Sequence, residues 1–452
     1  MGKIAGKRFR IRALGCRTNQ YEAEAIASEL ILRGACPSQG PWDVAILLSC
    51  TVTSEADRKC RQQVRRLRRE NPRGVILAAG CWAQELDEEE GAEIGLDAII
   101  GNRLKACLPE ILEKILANGV RPQSPLVCRF STPPDGSWDA LSVQRTTIHT
   151  RAFIKVQEGC DHFCSYCIVP YVRGAPVSRN PAEILDEARR VVEAGCCEVI
   201  LTGVHLGLFR YGEEWGLARL VREIAKIQGV QRIRFGSIEP FALDENLIQT
   251  LADTPAFCPH LHLPLQSGDD RILRAMRRGY SAGEFRSLVW RIRERWQDHV
   301  HFSTDLLVGF PGESDAAFQN TLNLVRELEF GKLHVFPYSR RPHTEASRLE
   351  GHLPAAVIQA RCEEGIRLGE QLLGRYAASF IGKTVPVLVE RRKGNEPRGL
   401  TPHFLPARWT GEGKTGQICS VKIKGYEDGE LFGQDFPFDR PDYCSFLKAG
   451  IK

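Results

Sequence analysis

The stretch EGCDHFCSYCIVP, residues 158–170, decides how the rest of the chain is read. Its three cysteines, Cys160, Cys164 and Cys167, are separated by three residues and then by two. A closed tetrahedral zinc or iron–sulfur site takes four protein ligands. A triplet therefore leaves one coordination position open or borrows a ligand from a distant part of the chain. Two arrangements meet that condition. Three thiolates can hold three irons of a cubane 4Fe–4S cluster with the fourth iron open. Alternatively, a cysteine such as Cys196 or Cys197 closes a structural zinc or cluster site.

The flanking sequence places the triplet at the end of a strand. From about residue 148 to 340, the runs AFIKVQ, EVILTGV, QRIRFGSI, HLHLPLQ, HFSTDLLVGF and KLHVFPY alternate with AEILDEARRVVEA, LARLVREIAKI and SAGEFRSLVWRIRERW. Apolar residues at three- and four-residue intervals predict helices in the latter, so the rhythm is one of six βα units. Six units predict a partial barrel, short of the eight of the closed fold, with a lateral opening that suits a macromolecular substrate. Functional groups then belong where strands end, after KVQEG, LTG, GSIEP, PLQSG and VGFPGE.

Both flanks of this core differ from it. In residues 1–120, RFRIRAL, DVAILLS, GVILAAG and DAIIG read as strands of an open α/β domain with a parallel sheet. Cys16, Cys50 and Cys81 sit just past three of them, where such sheets collect ligands. Being 34 and 31 residues apart, they are either a converging second triplet or three unrelated core and loop cysteines. Residues 121–147, rich in Pro and Ser, read as a linker or crossover. Beyond the core at 148–378, residues 379–447 contain KTVPVLVERR, GLTPHFLPARW and GQICSVKIKGY, short alternating strands that predict a small all-β barrel with a nucleic-acid-binding face.

Composition bounds the function class. With 452 residues the chain exceeds one ordinary core. Its 43% hydrophobic and 26% charged residues exclude global disorder. No apolar run approaches the ~20 residues of a membrane helix, and the basic start lacks a secretory signal, so a soluble cytoplasmic protein is expected. In that compartment sixteen cysteines point to metal or catalytic use rather than disulfides. Cys36, Cys60, Cys107, Cys128, Cys196, Cys197, Cys258, Cys362, Cys419 and Cys444 lack ligand spacing and read as plain core or surface residues. The net charge of +5 is concentrated: Asp57–Glu70 has seven basic and two acidic residues, and 381–425 has nine and three. Two such patches fit a polyanion such as RNA, although one Arg-rich helix is as readily a solvated face.

The spacing of Cys160, Cys164 and Cys167 resembles the radical S-adenosylmethionine (SAM) superfamily. LGCRTNQYEAEAI, SCTVTSEADRK, AAGCWAQ, LTGVHLG, RFGSIEP, LHLPLQSGDDRILRAMRRGY, DLLVGFPGE and FPYSRRPHTEASR resemble, in order and spacing, its methylthiotransferase family, and residues 379–447 resemble that family's TRAM domain. LGCRTNQYEAEAI looks most like the branch acting on threonylcarbamoyladenosine in tRNA, as against the isopentenyladenosine and ribosomal-protein aspartate branches. The resemblance implies a second 4Fe–4S cluster on Cys16, Cys50 and Cys81. It further implies a cofactor pocket drawing on Tyr166, Gly203, Gly207, Ser237, Glu239, Gln266, Gly309 and Gly312. His162, His205 and His262 then read as hydrogen-bonded scaffold groups. The match departs at Ser49, expected to tune the surroundings of Cys50, and at Arg341 and His343, expected to be a surface variation or an added phosphate contact.

The implied reaction replaces the hydrogen on carbon 2 of an adenine with a methylthio group. Side-chain acids and bases do not ionise such a bond at neutral pH, so the chemistry falls to cofactors. One cluster would cleave SAM to a 5′-deoxyadenosyl radical, and the other would carry the sulfur methylated by a second SAM. An electron donor such as flavodoxin or ferredoxin and a sulfur source follow as partners, and no membrane. Arg58–Arg69, Lys383, Arg391, Arg392, Lys393, Arg398, Lys422 and Lys424 would contact phosphates of the tRNA anticodon loop. The rival outside this chemistry is a non-catalytic, metal-bearing RNA-binding protein.

Overall fold

Runs of buried apolar residues dictate the N-terminal sheet. Val44–Ser49 and Val75–Gly80 are buried along their whole length, as parallel strands covered on both faces must be. The computed structural model, which describes residues 2–119, 121–130, 137–144, 150–297, 299–394 and 396–436, sets them at the centre of six strands. The order is Cys36–Pro37, Arg8–Ala13, Val44–Ser49, Val75–Gly80, Ala98–Ile100, Leu126–Cys128, and every pairing is parallel. The stretch expected as a linker thus gives Leu126–Cys128 to the sheet edge, a strand too short to show a period in sequence.

Six further strands build the core. Arg151–Glu158, Glu198–Gly203 and Arg232–Phe235 pair in parallel, and so do His260–His262, His301–Val308 and Lys332–Pro337. A bridge from Ile233 to Phe257 joins the two sets, so the strands follow one another in chain order around an open barrel, as the six-unit rhythm requires. Helix Ala355–Ala378 lies on the last of them, where Gly365 and Gly369 leave room for Val335 and Leu333.

The last domain is a closed five-stranded barrel ordered Thr384–Lys393, Glu396–Leu400, Pro406–Thr410, Glu430–Asp435, Ile418–Glu427. GLTPHFLPARW is not one strand. It breaks at Thr401–Leu405, where Phe404 adopts a φ of 63°. The break sends the Phe404 ring onto His260 inside the large barrel, with centroids 4.6 Å apart. Arg232 and Arg234, both wholly buried, donate to the Leu400, Pro386 and Pro402 carbonyls at 2.9, 2.9 and 3.0 Å and so seat the small barrel on the large one. Among the described residues no helix is long and apolar enough to cross a membrane. Cys444 and residues 437–447 of the expected last domain lie outside the described residues.

Candidate active site

Three adjacent strands explain how Cys16, Cys50 and Cys81 meet. Each thiol follows the carboxyl end of one of Arg8–Ala13, Val44–Ser49 and Val75–Gly80, neighbours in the sheet. Gly15, at φ +99°, brings its backbone so close to Cys50 that a Cβ there would sit 2.9 Å from the thiol sulfur. Asn19 donates to the Leu14 and Ser49 carbonyls at 2.7 and 2.9 Å, tying the first two loops together. The Ser49 hydroxyl donates to Ala79 O and accepts from Ala83 N–H. It thereby stitches the second strand to the third and caps helix Cys81–Glu85 from outside. Burial, with Cys81 and Cys16 alongside, pushes the Cys50 thiol up to about 12.

Cys160, Cys164 and Cys167 follow strand Arg151–Glu158 at the carboxyl end of the barrel. Burial and the neighbouring Cys164 push Cys167 up to about 12, and burial does most to bring Cys160 to about 11. Filling either triplet therefore means expelling thiol protons, which a strongly binding metal centre does. Cys196 and Cys197 precede strand Glu198–Gly203, at the opposite end of the barrel, and close neither triplet. Among the described residues, no group of three or more His, Cys, Asp or Glu side chains is placed to hold a single metal ion. A lone zinc needs sulfurs about 3.8 Å apart, whereas a four-iron cube sets each thiolate on a different iron. The donor sets fit the cube.

A buried charged network, unread in the sequence, links Cys81 to the end of the strand that leads into Cys160. Arg173 closes the short helix Val169–Arg173 just after Cys167. Its Nε donates to Cys81 Sγ at 3.1 Å, Nη1 to Glu158 at 2.8 Å and Nη2 to Asn19 at 2.9 Å. Asn102 also reaches Cys81 Sγ, at 3.6 Å. Behind them Lys155 pairs with Glu22 at 2.8 Å, and Lys105 pairs with Glu22 and Asp139 at 3.3 and 3.8 Å. Three carboxylates face three cations, so the interior stays neutral. Burial alone would raise the Glu22 carboxyl, but Lys105, Lys155 and Arg173 overcome it and hold it at about 2. The detectable signal was Arg in the otherwise apolar VPYVR.

The expected cofactor residues divide. Gly203, Ser237, Glu239, Gln266, Gly309 and Gly312 all lie at or beyond carboxyl ends of barrel strands. Glu239 is not free: it pairs with Arg278, whose Nη1 also donates to Cys164 Sγ at 3.4 Å. Gln266 takes φ +68° and is held by backbone bonds to Asp305 and Leu307. Tyr166 meets Phe310 edge-on. Gly203 backs onto Gln157, and Gly207 onto Ala242. Gly309, at φ +82°, faces Ile358, so packing of helix Ala355–Ala378 accounts for it, while Gly312 N–H donates to Gly351 O. Gly309→Ala is expected to lower stability by about 1–2 kcal/mol through its left-handed backbone, readable as a reduced thermal midpoint.

His262 is a scaffold group as expected, held by Ser303 at 2.9 Å and Asp305 at 3.1 Å. His162 and His205 are otherwise. They cluster with Phe241, and both ring nitrogens of His205, only 5% exposed, lack partners among the described residues. An orphaned imidazole beside Glu239, with burial lowering its pKa, fits a polar cofactor seated against the Cys160 triplet.

The basic helix Ser54–Glu70 is partly spent: Arg58, Arg61, Arg66 and Arg68 pair with Glu55, Glu90, Glu70 and Asp97. In the small barrel Arg398 pairs with Glu430, while exposed Arg391, Lys393 and Lys424 make no ion pair among the described residues. Arg341 is neither a surface variation nor a phosphate contact. Buried, it donates to Asp57 and Thr51 at 2.6 Å and to Glu85 at 3.1 Å, clamping the barrel's last loop onto the segments bearing Cys50 and Cys81. His343 takes φ +67°, which is glycine's territory.

Comparison with known proteins gives the architecture its family. Residues 154–325 match the radical SAM superfamily, and residues 8–101 match a family described as uncharacterized protein family UPF0004. The chain is 34% identical to a threonylcarbamoyladenosine tRNA methylthiotransferase of Chlamydia pneumoniae, over 94% of this chain and 97% of that one. The chain belongs to the radical SAM methylthiotransferases. A Bacillus subtilis methylthiotransferase of the same description is also 34% identical, covering 91% and 92% of the two chains. The tRNA-2-methylthio-N6-dimethylallyladenosine synthase of Bartonella quintana is 32% identical over 95% and 97%. A radical SAM methyltransferase from Kitasatospora setae shares the fold, with a TM-score of 0.57 at 15% identity over 76% and 77% of the two chains. As a methylthiotransferase of this family the protein uses SAM and two 4Fe–4S clusters.

Proposed function

We propose that this methylthiotransferase places a methylthio group on carbon 2 of threonylcarbamoyladenosine beside the tRNA anticodon, in the cytoplasm. Cys160, Cys164 and Cys167 hold the cluster that faces SAM, and Cys16, Cys50 and Cys81 hold the second. The observation that carries this reading is that Cys81, Ile168 and Val172 pack into one apolar group, which sets Cys81 of one triplet against the segment that follows Cys167 of the other.

Bound there, the clusters and SAM supply one-electron cleavage, hydrogen-atom removal and the methylthio group. The chain's own residues do the rest. Arg278 and the His162 backbone N–H donate to the Cys164 and Cys160 sulfurs, and such donors stabilise thiolate charge. Arg173 and Asn102 do the same for Cys81. Arg341 fixes how far the second triplet stands from the barrel mouth. Arg391, Lys393 and Lys424 present cations to the RNA backbone, which makes binding salt-dependent. A flavodoxin or ferredoxin serves as electron donor, with a separate sulfur source.

Anaerobic turnover with dithionite tests this. Anticodon hairpins bearing threonylcarbamoyladenosine or dimethylallyladenosine are incubated with reconstituted enzyme, and nucleosides are read by mass spectrometry alongside 5′-deoxyadenosine. Methylthiolation of the threonylcarbamoyl hairpin is expected. The dimethylallyl hairpin reacting in its place would favour the activity of the Bartonella relative.

A further inference from the structure

A cleft of about 740 Å³ opens beside Ile168 and Val172, which pack against Cys81 just past the Cys160 triplet. Both line it together with Gln84, one turn beyond Cys81. A nucleobase that shows its carbon 2 to both triplets has this cleft left for its other substituents. Arg129 and Arg348, both exposed, also line it.

The charge of the cleft is lopsided. Arg348 makes no ion pair or hydrogen bond among the described residues, and Arg129 reaches only the Gln84 carbonyl, at 3.3 Å. Among the described lining residues the one acid, Glu85, is already held by Arg341 at 3.1 Å and by Thr51 at 2.9 Å. Among the described residues, two guanidiniums thus line the cleft without a carboxylate partner. An aliphatic substituent gains nothing from them, because it would have to desolvate cations that it cannot pair. A planar carboxylate matches them, since guanidinium forks bind carboxylate oxygens in pairs.

We infer that Arg129 and Arg348 form a specificity pocket for the carboxylate of an N6 acyl substituent on the adenine. This deepens the proposed function and rests on it. The threonylcarbamoyl group ends in such a carboxylate, and the dimethylallyl group does not. An RNA phosphate offers the same paired oxygens, so the two sources must be told apart.

The test uses full-length, cluster-reconstituted enzyme and three hairpins: threonylcarbamoyladenosine, its carboxamide counterpart, and dimethylallyladenosine. Arg129→Gln, Arg348→Gln and the double variant are compared with wild type, with iron content confirming intact clusters. The expected result is a wild-type kcat/KM that favours the carboxylate over the carboxamide. Each single variant shrinks that ratio about tenfold or more, as loss of a charge-assisted bond implies, and Arg348→Lys restores part of it. A uniform loss on all hairpins, with a shallower salt dependence of RNA binding, would identify a phosphate contact and overturn the inference. So would variants that keep the wild-type ratio. Wild type acting on the dimethylallyl hairpin alone would instead remove the reading beneath it, a distinct outcome.

Discussion

Arg173→Met is expected to unload the second cluster and to cost about 3–5 kcal/mol of stability, the usual penalty for stripping one partner from a buried ion network. The guanidinium joins Cys81, Glu158 and Asn19 and is 2% exposed. Without it, Glu22 and Glu158 keep two lysines but lose the donor that also orients Cys81. Iron per chain should fall from about eight toward about four, with the spectrum of the Cys160 triplet surviving. Arg173→Lys separates charge from geometry, since it restores the cation without the fork.

The same variant changes the acid limb of unfolding. Glu22, ordinarily near 4.5, is held at about 2. A depressed carboxylate stabilises the fold fully above its unfolded pKa, and that contribution drains away as pH falls toward the folded value. Wild type should therefore lose stability from about pH 4.5 downward. In Arg173→Met the loss should be smaller over the same interval, because one of the three cations depressing Glu22 is gone and the gap to its unfolded pKa narrows. Urea titrations at stepped pH read the difference.

Glu198→Ala should release the small barrel from the large one. Glu198 is wholly buried and lies 3.5 Å from Arg232 and 3.1 Å from Arg234. Those arginines spend their remaining donors on carbonyls of the small barrel. Removing that carboxylate strips two buried guanidiniums of a shared acidic partner, again a cost of about 3–5 kcal/mol. Limited proteolysis should then cut between helix Ala355–Ala378 and strand Thr384–Lys393, and tRNA affinity should drop while iron content holds. An uncut chain with unchanged affinity would show that the carbonyls alone suffice.

What could be read in advance followed from local pattern. Parallel strands such as VAILLS and VILAAG announce themselves as unbroken apolar runs, and thiols placed after them point to one sheet edge. The hidden part lay in side chains whose partners are distant. QRIRFGSI alternates Arg with apolar residues, which by period resembles a half-solvated strand, yet both arginines point into an interior closed by another domain. Arg341 looked like surface because its partners, Thr51, Asp57 and Glu85, stand over 250 residues away in sequence. Gly309 carried the signature of a ligand-approach glycine, and Ile358 occupied that space instead. Period reports which face is buried, not against what.

The Phe404 finger, pressed on His260 and flanked by Arg234 at 5.1 Å and Arg17 at 5.7 Å, makes the protein a gauge of fixed span. Arg17 directly follows Cys16, so the large barrel, the small barrel and the loop bearing Cys16 are keyed at one point. The exposed cations Arg391 and Lys393 of the small barrel are thereby carried on a unit whose seat against Arg17 and His260 is fixed.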